Sequence, residues 1–569
     1  MHHNADMDIN NFLEKYSLIQ NEILGYFDNE NDNFDDFKNF FDEMKIHENE
    51  VDIKKIFPIL RTIIDNHYRK SHFFAKLEKI IRYFKEDAKQ AFTNDELLDL
   101  FSQNKMALLI LIKQKMIEIN DSVIDTLKNE TNLDYFMPEI LSFYSDHPLT
   151  FDYNEYNEKR EYGLNNDYLA SLIRNDSVEK FISYVNRNNI SLKSQIVKCD
   201  FETNPILINT KNQKEPTLIE YATFYGSIQI FRFLLINNVE LTSSLWIYAI
   251  HSNNADLIHL LEENQIEPDD KTYEKCLEES IKCHHNDIAN YFLNTRDLKN
   301  IDFNICLKYN NYDIIPKDKD YYSNYHISLM NLYKSIDINP DFYDLLFKAS
   351  YLDINLKEKE KTILIIAIKE KNVKMIKFLL ANPKTDLNII FGNRKKEYTA
   401  LSLAIEQKNI EIIRLLLSNQ NINPNCILTM EYNLESTPLS MAIEQKNIEI
   451  IRLLLSNQNI NPNCILTMEY NLELTPLSMA IEKNNIEIIQ LLLSSQNVDP
   501  NIKLKRKINI YTALSIAIEQ NNIKIINILL SNQNVNPNII FEKDFNKTTA
   551  LLMVIEQKKK DIIQLLVLF

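Results

Sequence analysis

The sequence predicts an all-α solenoid of stacked helix pairs with short β-hairpin fingers, preceded by an α-helical N-terminal domain. Similar segments follow one another in the C-terminal part at intervals of 37 or 38 residues. Each segment contains two short amphipathic helices, and consecutive segments are joined by a stretch that alternates between apolar and polar residues, as a strand pair does. The segments begin at Thr362, Thr399, Thr437, Thr475, Thr512 and Thr549.

Each repeat has the same internal order of signals. Thr437 is an expected helix N-cap, and Pro438 fits the first helical position because it has no N–H to lose there. Asn447 is the expected N-cap of the second helix. Residues 405–435 recur unchanged as residues 443–473. Because two short helices cannot bury their apolar faces alone, the repeats must stack on one another.

These patterns carry a family resemblance. Residues 437–442 (TPLSMA) and the Ile-Ile-x-x-Leu-Leu pattern of the second helix resemble the ankyrin repeat, with Ser440 where the family usually has His. The repeats are longer than the usual length of about 33 residues. The excess lies between Asn425 or Asn463 and the next Thr, which predicts a lengthened β-hairpin finger. The resemblance is specific over residues 362–569.

Weaker copies of the repeat lie upstream. Residues 217–227 keep the spacing and the loop glycine Gly226, residues 244–261 fit with Trp246 at an apolar position, and residues 275–293 fit loosely. A further irregular helical pair is expected within residues 316–361. The sequence therefore predicts diverged ankyrin-like repeats over residues 156–340 and regular repeats over residues 341–569.

The first 155 residues show helical stripes without a repeat period. The stripes are Phe12–Phe27, Phe34–Met44, Ile53–Tyr68, Phe73–Phe92 and Leu97–Ile117. They predict a helical domain over residues 1–155, with the Tyr-rich stretch 151–162 as its boundary. This layout resembles large protozoan families in which an all-helical N-terminal domain of unknown function precedes diverged and then regular ankyrin repeats.

The shortage of glycine excludes several enzyme classes. The chain has 4 Gly in 569 residues, where average usage predicts about 40. Loops that cradle phosphates need clustered glycines, so a P-loop, a dinucleotide fingerprint or a kinase Gly-rich loop is excluded. No Ser–His–Asp, Cys–His or HExxH arrangement stands out either. The chain is therefore expected to be no enzyme and to need no cofactor.

Two clusters in the sequence resemble metal sites only in part. The acidic segment 28–39 has Asn where a calcium loop needs Gly and Glu, so a solvated linker is the better interpretation. The second cluster has the spacing C-x6-C-H-H, which differs from the usual zinc spacing, and no metal is expected there. Its members are Cys276, Cys283, His284 and His285.

Charge and cysteine usage indicate a compartment and exclude one class of partner. The net charge of −17 argues against a nucleic-acid binder, which needs a basic surface. Six cysteines without a tight spacing framework favour a reducing compartment. No signal peptide or membrane-spanning run is present. The expected location is the cytoplasm, with the nucleus as an alternative.

The resemblance implies a binding surface on the first helix of each repeat and on the finger tips. At the matching helix positions, glutamates recur and would align into one acidic stripe, which fits a protein partner with a basic surface. Solvated helix positions copied by duplication explain the same pattern. The positions are Glu406-Gln407, Glu444-Gln445, Glu482-Lys483, Glu519-Gln520 and Glu556-Gln557.

The fingers differ in charge. Residues 394–396 and 503–507 are basic, whereas Glu431-Tyr432 and Glu469-Tyr470 are acidic and aromatic. The residue before the repeat threonine varies in kind, as contact positions do. We therefore also expect partner contacts at Tyr398, Tyr432, Tyr470 and Tyr511.

The most direct interpretation is a non-catalytic scaffold or adaptor that binds partner proteins through the concave face and hairpin tips of the array. One alternative is an adaptor whose N-terminal domain is catalytic or recruits an enzyme of a ubiquitin or signalling pathway. Another is a structural linker at the membrane cortex, which the acidic charge disfavours. The last repeat reaches Phe569 without a polar cap, which suggests a frayed end, packing on another molecule or truncation.

The missing glycines predict where the backbone turns. Ankyrin repeats usually have glycine in the loop between the helices, and here Lys408, Lys446 and Asn484 take that place. Asn also follows the second helix, and Asn tolerates positive φ better than other non-glycine residues. Positive φ is therefore expected at Asn419 and Asn457.

Overall fold

The computed structural model describes the chain in two compact units, residues 1–321 and 322–569. They are referred to as the N-terminal unit and the C-terminal unit. Both are mostly helical, as the sequence predicts, and the C-terminal unit adds short antiparallel strand pairs. The described residues are 8–31, 33–66, 72–128, 135–144, 154–208, 215–296, 298, 302–317, 329–358, 361–393, 396–543 and 546–568.

The N-terminal unit begins with a succession of helices. Two of the predicted stripes are divided in the structure. The stripe Phe73–Phe92 is divided at Phe84, and the stripe Leu97–Ile117 is divided where the Asn104 side chain caps a new helix. A reciprocal capping box of Thr93 and Glu96 starts the helix Asn94–Phe101. The helices are Ile9–Asp28, Phe34–Glu43, Glu50–Asn66, Phe73–Tyr83, Lys85–Ala91, Asn94–Phe101, Lys105–Lys113, Asp121–Leu127, Met137–Tyr144 and Asn154–Tyr162, with a 3₁₀ turn at Ile46–Glu48.

Diverged helix pairs follow in the same unit. Trp246 lies at their centre, 1% exposed, and its indole N–H donates to the carbonyl of Ile266 at 2.9 Å. This agrees with its predicted apolar position. The helices are Tyr168–Arg174, Val178–Arg187, Leu218–Phe224, Ile228–Ile236, Leu245–His251, Ala255–Glu263, Glu274–Lys282, Asn286–Thr295 and Phe303–Lys308.

The first helix of the chain packs against the end of these diverged repeats. The Gln20 amide donates to Asn311 Oδ1 at 3.1 Å and accepts from the backbone N–H of Tyr312 at 2.8 Å. The Ser17 hydroxyl donates to Asp313 at 2.6 Å. These bonds join residues about 290 positions apart in the sequence, so the helical N-terminal residues and the diverged repeats fold as one compact unit.

An aromatic contact seals the same junction. The Tyr312 ring is fully buried. Its centroid lies 5.9 Å from that of Phe12 in an edge-on arrangement and 5.5 Å from that of Tyr16. Aromatic pairs at these distances stabilise a core beyond the area they bury.

The C-terminal unit begins with the helix pair Leu329–Ile338 and Pro340–Lys348, which confirms the irregular pair expected within residues 316–361. The regular repeats follow. Their helices are Ile363–Lys369, Val373–Ala381, Ala400–Glu406, Ile410–Leu417, Pro438–Glu444, Ile448–Leu455, Pro476–Glu482, Ile486–Leu493, Ala513–Glu519, Ile523–Leu530, Ala550–Glu556 and Lys560–Leu568.

The predicted fingers are antiparallel strand pairs that precede the helix pairs. We number the fingers 1 to 5 in chain order. Fingers 3 and 4 join into one four-stranded sheet through the pairing of Leu472 with Arg506. Finger 1 is Phe391–Asn393 with Lys396–Tyr398, finger 2 is Leu428–Met430 with Leu434–Ser436, finger 3 is Leu466–Met468 with Leu472–Leu474, finger 4 is Leu504–Arg506 with Asn509–Tyr511, and finger 5 is Phe541–Lys543 with Asn546–Thr548.

The repeat threonines cap their helices as predicted. The Thr437 hydroxyl accepts from the backbone N–H of Ser440 at 3.3 Å, and the Ser440 hydroxyl accepts from the backbone N–H of Thr437 at 2.7 Å. Pro438 occupies the first turn. Ser440 therefore completes a capping box at the position where the family usually has His.

One asparagine in each repeat holds the next repeat in register. The Asn463 amide donates to the carbonyl of Asn497 at 2.7 Å, and its Oδ1 accepts from the backbone N–H of Asp499 at 2.8 Å. Asn425 makes the same two bonds one repeat earlier. The equivalent asparagines are Asn355, Asn388 and Asn501.

Replacing Asn463 with alanine is expected to destabilise the C-terminal unit by about 1–2 kcal/mol, because two hydrogen bonds between repeats are lost. Urea unfolding followed by far-UV circular dichroism measures the loss. Asn459→Ala in the same loop is the matched control, since the Asn459 side chain is exposed, and it should change stability by less than about 0.5 kcal/mol. Equal losses in the two variants would contradict this role of Asn463.

The loops between paired helices turn through a left-handed backbone at lysine and asparagine, as expected. φ is 56° at Lys408, 54° at Lys446 and 53° at Asn484. The expectation of positive φ at Asn419 and Asn457 is wrong. Oδ1 of Asn419 accepts from the N–H of residue 421 at 2.9 Å, so an Asx turn reverses the chain without a left-handed residue.

Lys446→Gly is expected to stabilise the C-terminal unit by about 0.5–1 kcal/mol, because glycine adopts positive φ without the steric cost that a Cβ brings. Thermal unfolding of the full chain measures the gain. Lys446→Ala retains a Cβ and should show no such gain. A loss of stability in the glycine variant would show that the left-handed backbone carries no strain.

Candidate functional site

The glutamate stripe (Glu406, Glu444, Glu482, Glu519 and Glu556) is largely neutralised by its own array. Glu406 pairs with Lys396 of finger 1 at 2.5 Å, and Glu482 pairs with Arg506 of finger 4. The two remaining pairs are longer, and they are Lys483–Glu444 at 3.6 Å and Lys543–Glu519 at 3.8 Å. Four of the five stripe carboxylates therefore lie in partly exposed ion pairs, which offer less field to a basic partner than bare carboxylates do.

The glutamines that follow the stripe glutamates point their side-chain amide oxygens into the interior of the repeat array. In four repeats the amide oxygen is buried and accepts no hydrogen bond from the described residues. The Gln520 amide nitrogen donates to Glu482 of the preceding repeat at 3.1 Å. The four residues are Gln407, Gln445, Gln520 and Gln557.

Two of the four candidate tyrosines form hydrogen bonds to glutamates of the stripe. The Tyr398 hydroxyl donates to Glu406 at 2.9 Å, and the Tyr511 hydroxyl donates to Glu519 at 2.8 Å. Burial, reinforced by these carboxylates, raises the pKa of both phenols above the ordinary value. Tyr511 is buried and Tyr398 is half-buried, and each ring is tied by its hydroxyl to the helix that follows its finger.

The other two tyrosines stand at the finger tips. Tyr432 is 80% exposed and Tyr470 is 82% exposed. Both have a left-handed backbone, with φ 62° and ψ 27° at Tyr432 and φ 59° and ψ 32° at Tyr470. A bulky residue in this region is a conformational outlier that costs about 1–3 kcal/mol. Fingers 2 and 3 thus hold an exposed aromatic ring at an energetic cost.

The charge at these two tips is uncompensated. Glu431 and Glu469 are exposed, and neither carboxylate forms an ion pair with any described residue. Finger 4 carries the opposite charge, with Lys505 and Lys507 exposed. The described tips therefore differ in sign, being negative and aromatic at fingers 2 and 3 and positive at finger 4.

A second set of glutamates fastens neighbouring fingers together. Glu397 accepts from the backbone N–H of Thr429 at 2.8 Å, and Glu473 accepts from that of Lys505 at 2.8 Å. Glu435 makes the same contact with Thr467 at 2.6 Å. Sequence reasoning missed this row, although the 38-residue recurrence of Glu435 as Glu473 was a visible signal. The bonds fix the position of each tip relative to the next.

The Cys/His cluster singled out in the sequence is dispersed. His284 Nε2 bonds the carbonyl of Tyr309 at 2.8 Å, and His285 Nδ1 bonds the carbonyl of Ile250 at 2.8 Å. A different group is assembled instead, from His251, Glu279 and Cys283.

This buried group is an ion-pair cluster. His251 Nε2 lies 2.6 Å from Glu279 Oε1, and its Nδ1 lies 3.1 Å from the carbonyl of Asn66. Burial opposes ionisation of Glu279, but hydrogen bonds and charge from His251 and Lys282 lower its pKa well below the ordinary value of 4.5.

The geometry of the third member does not fit a metal site. The Cys283 sulfur lies 3.4 Å from Nδ1 and 3.5 Å from Nε2 of His251. An atom equidistant from both nitrogens lies over the ring face, whereas a metal ligand arrangement needs an in-plane lone pair. Burial also raises the pKa of the Cys283 thiol well above its ordinary value, which disfavours the thiolate.

Within the described part of the chain, the helices are too short or too polar to cross a lipid bilayer.

Comparisons with known proteins give two family matches. The family described as ankyrin repeats (3 copies) matches residues 332–427 and 425–504. The domain of unknown function DUF3447 matches residues 236–315. A comparison with curated proteins finds no match. The crystal structure of one ankyrin repeat protein matches with 20% identity and a TM-score of 0.28, and the match covers 37% of this chain and 98% of that chain.

Proposed function

Since the C-terminal region of this chain carries ankyrin repeats behind a DUF3447 domain and a helical N-terminal region, we propose that the protein is a non-catalytic scaffold that binds partner proteins through the tips of its fingers. Ankyrin repeats indicate a protein–protein interaction module. The single observation that carries the finer proposal is the exposed, strained tyrosine at the tips of fingers 2 and 3.

The tips are better candidates for the principal contact than the glutamate stripe. Four of the five stripe glutamates are paired with Lys396, Lys483, Arg506 and Lys543, and displacing those cations costs part of any gain from a basic partner. Glu431 and Glu469 keep their charge available beside an aromatic ring. We therefore retain the proposal of a basic partner and place its main contact at fingers 2 and 3, with the stripe as flanking surface.

The helical N-terminal residues are proposed to support this scaffold. Their first helix is hydrogen-bonded to the diverged repeats through Gln20 and Ser17. We place the protein in the cytoplasm, on the support of its free thiols, which suit a reducing compartment.

Site-specific photo-crosslinking in the full chain tests this function. A photoreactive residue at Tyr470 is expected to capture a partner protein from the cytoplasm. The matched control carries it at Arg452, exposed on the second helix of the neighbouring repeat, and should capture none. Capture only from positions in the N-terminal unit would overturn the proposal.

A further inference from the structure

The two exposed tyrosines form a pair with a defined separation. Each occupies the same place in its repeat, with nearly the same backbone angles and the same exposure. Corresponding helices of consecutive repeats pack side by side with axes about 10 Å apart, so the two tips are spaced by about the same distance. The Glu435 bond to the N–H of Thr467, in the next finger, holds that spacing.

Each tip offers a complete site for one cationic side chain. An exposed phenol ring attracts a guanidinium or ammonium group over its face. The carboxylate of Glu431 or Glu469 stands one residue away from that ring and has no ion-pair partner among the described residues. Two such tips therefore fit two cationic side chains about 10 Å apart.

This distance fits two conformations of the partner, polyproline II and an α-helix, in which residues i and i+7 share a face about 10.5 Å apart. In polyproline II, three residues complete a turn with a rise of about 3.1 Å each, so residues i and i+3 project from the same side about 9 Å apart. In a β-strand, residues on one side are separated by about 6.7 Å or 13 Å. Polyproline II is also the peptide conformation that exposed aromatic rings commonly bind, because its ordering cost is low.

The charge order along the fingers argues against a second copy of this chain as the occupant. Finger 4 is basic, as is residue 396 of finger 1, and fingers 2 and 3 lie between them. Aligned face to face, in either direction, two such rows bring like charges together at fingers 2 and 3. Like charges across an interface are unfavourable.

We propose that fingers 2 and 3 bind a polyproline II segment of a partner protein that carries Arg or Lys at positions i and i+3. Tyr432 with Glu431 receives one cation, and Tyr470 with Glu469 receives the other. This inference rests on the proposed function and adds the chemistry of the partner.

The test uses three fluorescent peptides with two arginines each and equal net charge, titrated against the full chain by fluorescence anisotropy. The arginines are separated as Arg-Pro-Pro-Arg, as Arg-Pro-Arg or as Arg-Pro-Pro-Pro-Arg. The first peptide is expected to bind most tightly, and its affinity should fall as salt rises. Equal affinity for all three peptides would overturn the proposal, because it would show that charge alone determines binding and that the spacing of the two arginines does not matter.

Two double variants separate contact from folding. Tyr432→Ala with Tyr470→Ala should weaken the first peptide about tenfold. Tyr432→Gly with Tyr470→Gly should weaken it equally while raising the melting temperature, since glycine relieves the left-handed strain. Lys507→Gly is the matched control, because Lys507 has φ 58° on finger 4, and it should leave the affinity undiminished. Unchanged affinity in both tyrosine variants would overturn the proposal.

The outcomes also separate this inference from the function on which it rests. If crosslinking at Tyr470 captures a partner but none of the peptides binds, the stated chemistry is wrong and the scaffold function stands. If crosslinking fails and the peptides fail as well, both proposals fall.

Discussion

Replacing Glu279 with alanine is expected to lower the free energy of unfolding of the N-terminal unit by about 3–5 kcal/mol, because the largely buried Lys282 ammonium and the buried His251 ring then lose the carboxylate that both contact. His251 is fully buried, and Lys282 Nζ lies 2.9 Å from Glu279. Urea unfolding of the full chain measures the loss through the fluorescence of Trp246. As the single tryptophan of the chain, Trp246 reports on this unit alone.

The control for Glu279 is its neighbour. Glu278 forms a longer surface pair with Lys308, at 3.4 Å and with both side chains more than a third exposed, so Glu278→Ala should cost at most about 1 kcal/mol. If both variants unfold at the same urea concentration, the ion-pair cluster contributes nothing specific.

The Glu279 carboxyl also makes the stability of the N-terminal unit depend on pH. Its pKa is depressed in the folded unit relative to the ordinary value of 4.5. Its contribution to stability is therefore complete above about pH 4.5 and is lost as the pH falls towards the depressed pKa. Glu279→Gln removes the titrating group and should flatten this part of the stability profile. If the Glu279→Gln variant loses as much stability at low pH as the wild type does, other carboxyls cause the pH dependence.

Tyr312→Ala is expected to cost the N-terminal unit about 3–5 kcal/mol, the range for deleting a buried aromatic ring. The ring is fully buried against Phe12 and Tyr16 of the first helix. The loss should appear in the same Trp246 unfolding experiment. It should be accompanied by faster amide exchange in the helix Ile9–Asp28, because that helix loses its anchor on the repeats.

Tyr312→Phe serves as the control, since it retains the ring contacts and should cost about 1 kcal/mol, as for one hydrogen bond. An alanine variant in which the first helix exchanges at the wild-type rate would show that the helix is held elsewhere.

The repeats could be predicted from the sequence because their signals are local. A threonine followed by proline, an asparagine before an apolar stripe and alternating residues between repeats each fix a short element. These predictions are confirmed by the helices after Thr437 and Asn447 and by the strand pairs of the fingers. The domain boundaries at residues 155 and 340 remain predictions.

Contacts between repeats were harder to predict because they depend on how one unit stacks on the next. Asn463 looks like a turn residue until the backbone of residues 497 and 499 is placed beside it. The acidic stripe looked unpaired because Glu482 and Arg506 belong to different repeats. Cys283 was linked to its sequence neighbours, whereas His251, one repeat length upstream, is its actual contact.

Among the candidate contact residues, those that depend on local structure could also be predicted more easily than those that depend on contacts between elements. Exposure at a finger tip follows from the hairpin itself, so Tyr432 and Tyr470 are exposed as contact residues must be. The roles of Tyr398 and Tyr511 depend on a glutamate of the following helix, which periodicity alone does not bring into view. The assignment of all these residues to partner binding stays a proposal.

The central claim is that partner proteins bind at the tips of fingers 2 and 3. Its most direct test is the affinity of a partner captured by crosslinking for the full wild-type chain and for the variant with Tyr432→Gly and Tyr470→Gly. The account predicts about tenfold weaker binding by a variant that unfolds at a higher temperature than the wild type. An unchanged affinity in that more stable variant would contradict the claim.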